Sequence, residues 1–158
     1  MTKFLPLPEL AVRIAAARQR GKKIALANGG FDLLHIGHVR YLQAARAQAD
    51  ILVVAVNSDT SLRQLKGPER AIIDECGRVA LIAALACVDF VTLFDDRRVD
   101  EVLQRLTPDV HCKGSDYTAE TVPERETVLA YGGRIAIVGG AKIRSTSSLI
   151  ARIRSLHG

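Results

Sequence analysis

The stretch Ile24-Ala25-Leu26-Ala27-Asn28-Gly29-Gly30-Phe31-Asp32-Leu33-Leu34-His35-Ile36-Gly37-His38 decides the fold. It opens with a short apolar run, Ile24 to Ala27, that stops at the turn signal Asn28-Gly29-Gly30. Val39, Leu42, Ala45 and Ala49 then recur at helical spacing. The next segment, Ile51-Leu52-Val53-Val54-Ala55-Val56, is apolar without interruption, as expected of a strand covered on both faces. Strand, glycine-rich turn, helix and buried strand make one β-α-β unit, which in a single sheet has parallel strands.

The alternation continues downstream. Val79 to Ala86 predicts a helix, Phe90 to Leu93 a strand, Val99 to Leu106 a helix and Val110 to Lys113 a strand. Pro123 opens a further helix that Gly132-Gly133 closes; Arg134 to Val138 is a last strand and Ser147 to Leu156 a terminal helix. The expected fold is α/β, a Rossmann-like doubly wound parallel sheet in a single domain, with its ligands beyond the C-terminal strand ends. Upstream, Pro8 to Arg20 reads as an amphipathic helix ended by Gly21. Residues 1–21 are therefore expected to be a lid or packing segment on the domain formed by residues 22–158.

With 158 residues the chain suits one domain. No apolar run approaches the roughly 20 residues that cross a bilayer. No basic-then-apolar leader is seen at the N-terminus, so the expected compartment is the cytoplasm. Cys76, Cys87 and Cys112 match neither a disulfide framework nor a zinc pattern and read as core thiols. The net charge of +5 calls for anionic partners. Scarce aromatics, no Trp and dispersed Lys and Arg argue against nucleic acid and favour phosphorylated small molecules.

The chemistry concentrates after the first strand. Glycines there let the backbone turn tightly and approach a ligand, and the following helix start offers unpaired N–H groups to a phosphate. His35 and His38, three apart, share one helical face and can reach one anion. Two surface histidines at a helix start are the plainer alternative, disfavoured by the strict context. A zinc site would need a third ligand, and apart from Asp32 the neighbourhood supplies none.

The pattern Gly29-x-Phe31-Asp32-x-x-His35-x-Gly37-His38 resembles the signature of the cytidylyltransferase-like nucleotidyltransferases. Asn57-Ser58-Asp59, Lys66-Gly67, Arg78, Pro108-Asp109, Lys113-Gly114-Ser115-Asp116-Tyr117 and Arg144-Ser145-Thr146-Ser147-Ser148 extend the resemblance from about Lys22 to Ile153. Within the family it is most similar to the adenylyltransferases of D-glycero-β-D-manno-heptose 1-phosphate, above all at Lys113 to Tyr117. Two departures stand out: Ala71 follows Arg70 where Pro is usual, and Cys76-Gly77 precede Arg78 where an acidic residue or Gln is usual.

The resemblance implies a catalytic set of His35, His38, Arg144 and Lys66. The histidines would act on the transferring phosphate, and Arg144 with Thr146 on the leaving pyrophosphate. Nucleotide contacts are expected from Gly30, Phe31, Asp32, His35, Gly37, His38, Lys113, Gly114, Asp116, Tyr117, Ser145, Thr146 and Ser147. Acceptor contacts are expected from Asn57, Asp59, Lys66, Arg70 and Arg78. Several of these have plainer readings on sequence alone: Asp59 and the Ser/Thr cluster as helix caps, Lys113 as a solvated strand-end lysine, and Lys66 and Arg70 as members of a charged loop. Arg78, on an otherwise apolar helix, demands a partner. Lys142 and Arg144 add positive charge to the Ser/Thr cluster. No protein metal site is expected; Mg²⁺ would be carried mainly by the nucleotide phosphates, and Asp32 would orient the metal or a histidine.

The implied reaction transfers AMP from ATP to the heptose 1-phosphate, giving ADP-heptose and pyrophosphate for the lipopolysaccharide core. A homodimer is expected, with a separate sugar kinase upstream. Two alternatives stay open: a cytidylyltransferase for glycerol 3-phosphate or a related polyol phosphate, and a non-catalytic nucleotide sensor.

Overall fold

The computed structural model describes residues 2–141 and 144–156. Five strands among them form one parallel sheet: β1 (Ile24–Gly29), β2 (Ile51–Asn57), β3 (Phe90–Phe94), β4 (Val110–Lys113) and β5 (Arg134–Ile137). Their order is β3-β2-β1-β4-β5, so the chain winds outward from β1 to one edge, then returns to β1 and winds to the other. The direction reverses between β1 and β4, where a doubly wound sheet leaves a crevice beyond its strand ends.

Alternation along the strands assigns the two faces. Ala25, Ala27, Leu52, Val54 and Val56 face a core shared with Leu42 and Ala45 of α2 (Ile36–Arg46) and Val79 and Ile82 of α4 (Glu75–Ala83). Ile24, Leu26, Val53 and Ala55 point the other way. They meet Leu10 and Ile14 of α1 (Leu7–Gln19), Val102, Leu103 and Leu106 of α5 (Asp100–Leu106), and Val128 of α6 (Arg125–Ala130). Every residue of β2 after Ile51 is buried, as its unbroken apolar run requires.

The N-terminal segment packs rather than covers a site. Leu10, Ile14 and Ala17 of α1 are buried in the second core, and no residue of α1 lines the cleft. Ahead of it, the Leu5 N–H donates to Val91 O (3.0 Å) and the Val91 N–H to Lys3 O (2.9 Å). The free edge of β3 is thereby covered, which removes a template for strand addition.

Three elements differ from the sequence reading. Asp59–Lys66 is a helix, α3, so Lys66 ends a helix instead of riding in a loop. Its N-cap is Ser58, whose side chain accepts the Ser61 N–H; Asp59 is its first residue, not its cap. Helix α4 begins at Glu75, capped by Asp74, which accepts the Gly77 N–H at 2.7 Å, so Arg78 lies inside it. Pro123 precedes α6 by two residues. Of the thiols only Cys112 is buried; Cys76 is exposed on the first turn of α4, which corrects its reading as a core residue. No helix among the described residues is long and apolar enough to cross a membrane.

Candidate active site

A cleft of about 540 Å³ opens over the C-terminal strand ends. Its floor is the turn after β1, where Phe31 (φ 53°) and Leu33 (φ 50°) both take the left-handed backbone conformation that L-residues seldom adopt. These two kinks swing the chain so that His35 becomes the N-cap of α2. At Gly37 a side chain is excluded: its Cβ would lie 2.9 Å from the His35 ring and 3.2 Å from the backbone oxygen of Arg144. The missing side chain lets the 144–147 segment close onto the first turn of α2.

The histidines form a stacked pair with ring centroids 3.8 Å apart. His35 Nδ1 accepts the Gly37 N–H (3.1 Å), and His38 Nδ1 accepts the His35 N–H (3.4 Å). A neutral ring whose Nδ1 accepts carries its proton on Nε2. Phe31 packs edge-on against His38 at 5.3 Å. Burial first, and His35 second, lower the His38 pKa to about 4 against the pull of Asp32. At neutral pH His38 is thus an uncharged N–H donor lining the cleft.

Asp32 is tied to the chain on three sides. Its carboxylate accepts the N–H groups of Ile72 and Ile73 (3.0 Å each), and its carbonyl accepts the Thr146 hydroxyl (2.7 Å). Asp32 therefore holds the 67–74 loop and the last helix, α7 (Thr146–Ser155), against the turn after β1. What it offers His38 is charge rather than a hydrogen bond. Ser145 caps α7 by accepting the Ser148 N–H (3.1 Å), and Arg70 reaches across from the loop to donate to Ser147 Oγ (2.8 Å). In that loop Ala71 has φ 62°, a value that the proline usual in the family cannot take.

Most expected site residues converge here. Gly30, Phe31, Asp32, His35, Gly37, His38, Asn57, Lys66, Arg70, Lys113, Gly114, Asp116, Tyr117, Arg144, Ser145, Thr146 and Ser147 all line the cleft. Arg78 and Asp59 do not, which corrects their placement as substrate contacts. Arg78 is fully buried. It donates to Ile73 O (3.0 Å), Gly30 O (2.6 Å), Asn57 O (2.8 Å) and the Asp59 carboxylate (2.8 Å). The partner that its apolar helix demanded is the backbone of the site itself: Arg78 braces the turn after β1, the end of β2 and the loop together. Lys142, expected beside Arg144, lies outside the described residues.

The fold also brings in residues that the sequence did not single out: Asn28, Arg40, Tyr41, Arg97, Arg98 and Glu124. Tyr41 donates its hydroxyl to Cys112 O (2.7 Å), tying α2 to β4. Lys113 sits 3.6 Å from a Glu124 carboxylate oxygen and 4.8 Å above the Tyr117 ring, and burial lowers its pKa. Only the turn-and-strand placement of Asn28 and Lys113 could have signalled this group beforehand. No three His, Cys, Asp or Glu side chains among the described residues gather as a metal site.

A parallel sheet with two stacked imidazoles at its first turn and a capped Ser/Thr helix opposite defines a nucleotidyltransferase. A profile of the cytidylyltransferase-like family matches residues 26–149, and the chain belongs to that family. It is 47% identical over 153 residues to "Bifunctional protein HldE" of Geotalea uraniireducens, covering 97% of this chain and 31% of the relative. Against the protein of the same name from Ectopseudomonas mendocina it is 42% identical, over 96% of this chain and 32% of the relative. The chain thus spans about a third of these curated relatives. Among solved structures it resembles the lipopolysaccharide core biosynthesis protein of Thermoplasma volcanium. That match has 31% identity and a TM-score of 0.66, and covers 78% of this chain and all of the other.

Proposed function

We propose that the protein transfers AMP from ATP to D-glycero-β-D-manno-heptose 1-phosphate, giving ADP-heptose and pyrophosphate for the lipopolysaccharide core. An oxygen of the sugar phosphate attacks the α-phosphorus in line. The bond from that phosphorus to the bridging oxygen breaks, and its electron pair leaves with pyrophosphate. The acceptor is already ionised near neutrality, so no base is required, and catalysis rests on positioning and charge compensation. His35 and His38 serve the α-phosphate; Arg144 and the N-terminal N–H groups of α7 serve the leaving phosphates. Gly114, Asp116 and Tyr117 serve the nucleoside, and Lys66, Arg70 and Asn57 the acceptor.

The observation that carries this reading is the stacked His35–His38 pair, with His38 neutral, facing the α7 N-terminus across Gly37. The match to a relative called bifunctional covers about a third of that relative's length. The acceptor, a sugar 1-phosphate, would be supplied by a sugar kinase. Mg²⁺ would enter with the triphosphate, because the Asp32 oxygens are already taken by the loop. Bound there, it neutralises phosphate charge.

A matrix of the four NTPs against sugar and polyol phosphates, scored by pyrophosphate release, tests the assignment. ATP with the heptose 1-phosphate should exceed every other pair; faster turnover of CTP with glycerol 3-phosphate would replace the substrates and leave the fold untouched. A cytoplasmic homodimer completes the proposal, supported by the family resemblance and by the exposed Ile153 of α7 and Leu156 at its C-cap. Sedimentation at micromolar protein should give twice the 17.1 kDa chain mass.

A further inference from the structure

The cleft has a second polar pocket, on the face of the sheet away from the histidines. Asn28 lies two residues beyond Leu26, which packs under α5 and α6, so the two side chains share that face. His111 pairs with Leu26 in register, which puts Lys113 on the same face of β4. Glu124 comes from the segment just before α6, on the same side. The pocket is held there by Arg98, which bonds both Asp100 and Pro123 O, and by Thr127 donating to Asp100 (2.5 Å).

The donors and acceptors in this pocket can be assigned. Asn28 Oδ1 lies 3.0 Å from His111 Nε2 and 3.5 Å from Lys113 Nζ. An ammonium only donates, so Oδ1 is the acceptor of both and His111 carries its proton on Nε2. The Asn28 amide N–H groups have no protein partner among the described residues, and Asn28 lines the cleft. Glu124 is 4% exposed and lines the same cleft. Among the described residues its Oε2 accepts no hydrogen bond, and the Lys113 ammonium stands 3.6 Å away as an ion pair. A buried carboxylate oxygen without a hydrogen-bond donor is destabilising. Such a group in a cleft is built to be completed by a ligand's O–H.

The reaction says which ligand. In-line displacement requires the acceptor to approach from the side opposite the leaving pyrophosphate, and the leaving group belongs to the α2–α7 side. The pocket lies on the other side. A carboxylate repels phosphate and accepts only from donors, whereas the Lys113 ammonium beside it attracts phosphate. We propose that Glu124, backed by Lys113 and Asn28, receives the hydroxyl groups of the acceptor polyol phosphate and sets which acceptor is used. The role rests on the nucleotidyl-transfer reading, but on no particular base or sugar.

The test uses Glu124→Gln and Glu124→Ala with whichever NTP–acceptor pair wins the substrate matrix, so a wrong sugar assignment shows in the wild type and leaves this comparison intact. Acceptor KM should rise at least 10-fold in both variants, with KM for ATP within about 2-fold of wild type. Sites built to bond a hydroxyl discriminate strongly against analogues that lack it. One monodeoxy analogue of the acceptor should therefore lose at least 10-fold in kcat/KM with the wild type and far less with Glu124→Gln. A merely structural Glu124 would leave that analogue pattern unchanged, and this result would overturn the proposal. A rise in KM for ATP alone would also overturn it, by moving the pocket to the nucleoside. If Glu124→Ala does not fold, the isosteric Gln variant carries the comparison.

Discussion

His38 illustrates how much of a residue's role is fixed by where its ring nitrogens point. Its Nδ1 is occupied by the His35 N–H, and burial holds its pKa near 4, so the free enzyme presents Nε2–H and no positive charge. In the proposed reaction, charge spreading over the α-phosphate and the leaving pyrophosphate is what such a donor would meet. A preorganised donor of this kind is worth about 2.7–4 kcal/mol, or 10²–10³ in rate. His38→Ala should lower kcat by about that factor with little change in the Kd for ATP, and His38→Asn or Gln should recover part of it. The decisive readout is the ratio of wild-type to His38→Ala single-turnover rates from pH 5.5 to 8. A donor that stays neutral throughout predicts a constant ratio. A general base would give a ratio that shrinks as pH rises and solvent base takes over.

At the scale of elements, α7 and the turn after β1 act together. Thr146 spends its hydroxyl on Asp32 O, so what the proposed reading leaves it to offer phosphate is the backbone N–H at the start of α7, which alanine keeps. Arg144 lines the cleft, exposed, with its charge open to the nucleotide. Arg144→Ala should therefore weaken ATP binding by roughly 10–100-fold, the worth of a charge-assisted hydrogen bond, while Thr146→Ala loses less. Sugar phosphate binding should change little in either variant. Calorimetric titration of each ligand checks this, and equal losses for both ligands would move the phosphate site elsewhere. The same scale explains what was legible in the sequence. The unbroken apolar run of β2 and the strand–Gly-Gly–helix punctuation of β1 and α2 reveal the parallel sheet, because periodicity reports burial directly. Helix α3 escaped because it is short and polar, with only Ser61 and Leu62 buried. The left-handed turns at Phe31 and Leu33 escaped because neither residue type announces positive φ. Arg78 was recognised as needing a partner, but its backbone acceptors come from three separate segments that only the folded sheet brings together. Glu124 and Arg98 reach the cleft for the same topological reason.

On the scale of the whole molecule, the cleft's polar groups make stability depend on pH. His111 is fully buried between Asn28 and the core beneath α5 and α6, with Nδ1 unpartnered among the described residues and Nε2–H committed to Asn28 Oδ1. Burial, helped by Lys113, lowers its pKa from 6.5 to about 3. Above pH 6.5 neither the folded nor the unfolded chain binds a proton here, and the ring adds no pH dependence. Between pH 6.5 and about 3 the unfolded chain binds the proton and the folded chain refuses it. Stability is then full above 6.5 and lost as pH falls through that window, with a slope approaching about 1.4 kcal/mol per pH unit for one group. His38 adds a second contribution of the same sign, from 6.5 down to about 4. Carboxylates also titrate below about pH 5, so the informative quantity is the difference between proteins. His111→Gln keeps a donor for Asn28 and removes the titration. Urea unfolding at pH 7.5 and pH 5.0 should show a wild-type loss exceeding that of His111→Gln by roughly 2 kcal/mol, the part of the window crossed. Parallel losses in the two proteins would mean that this ring charges without leaving its place.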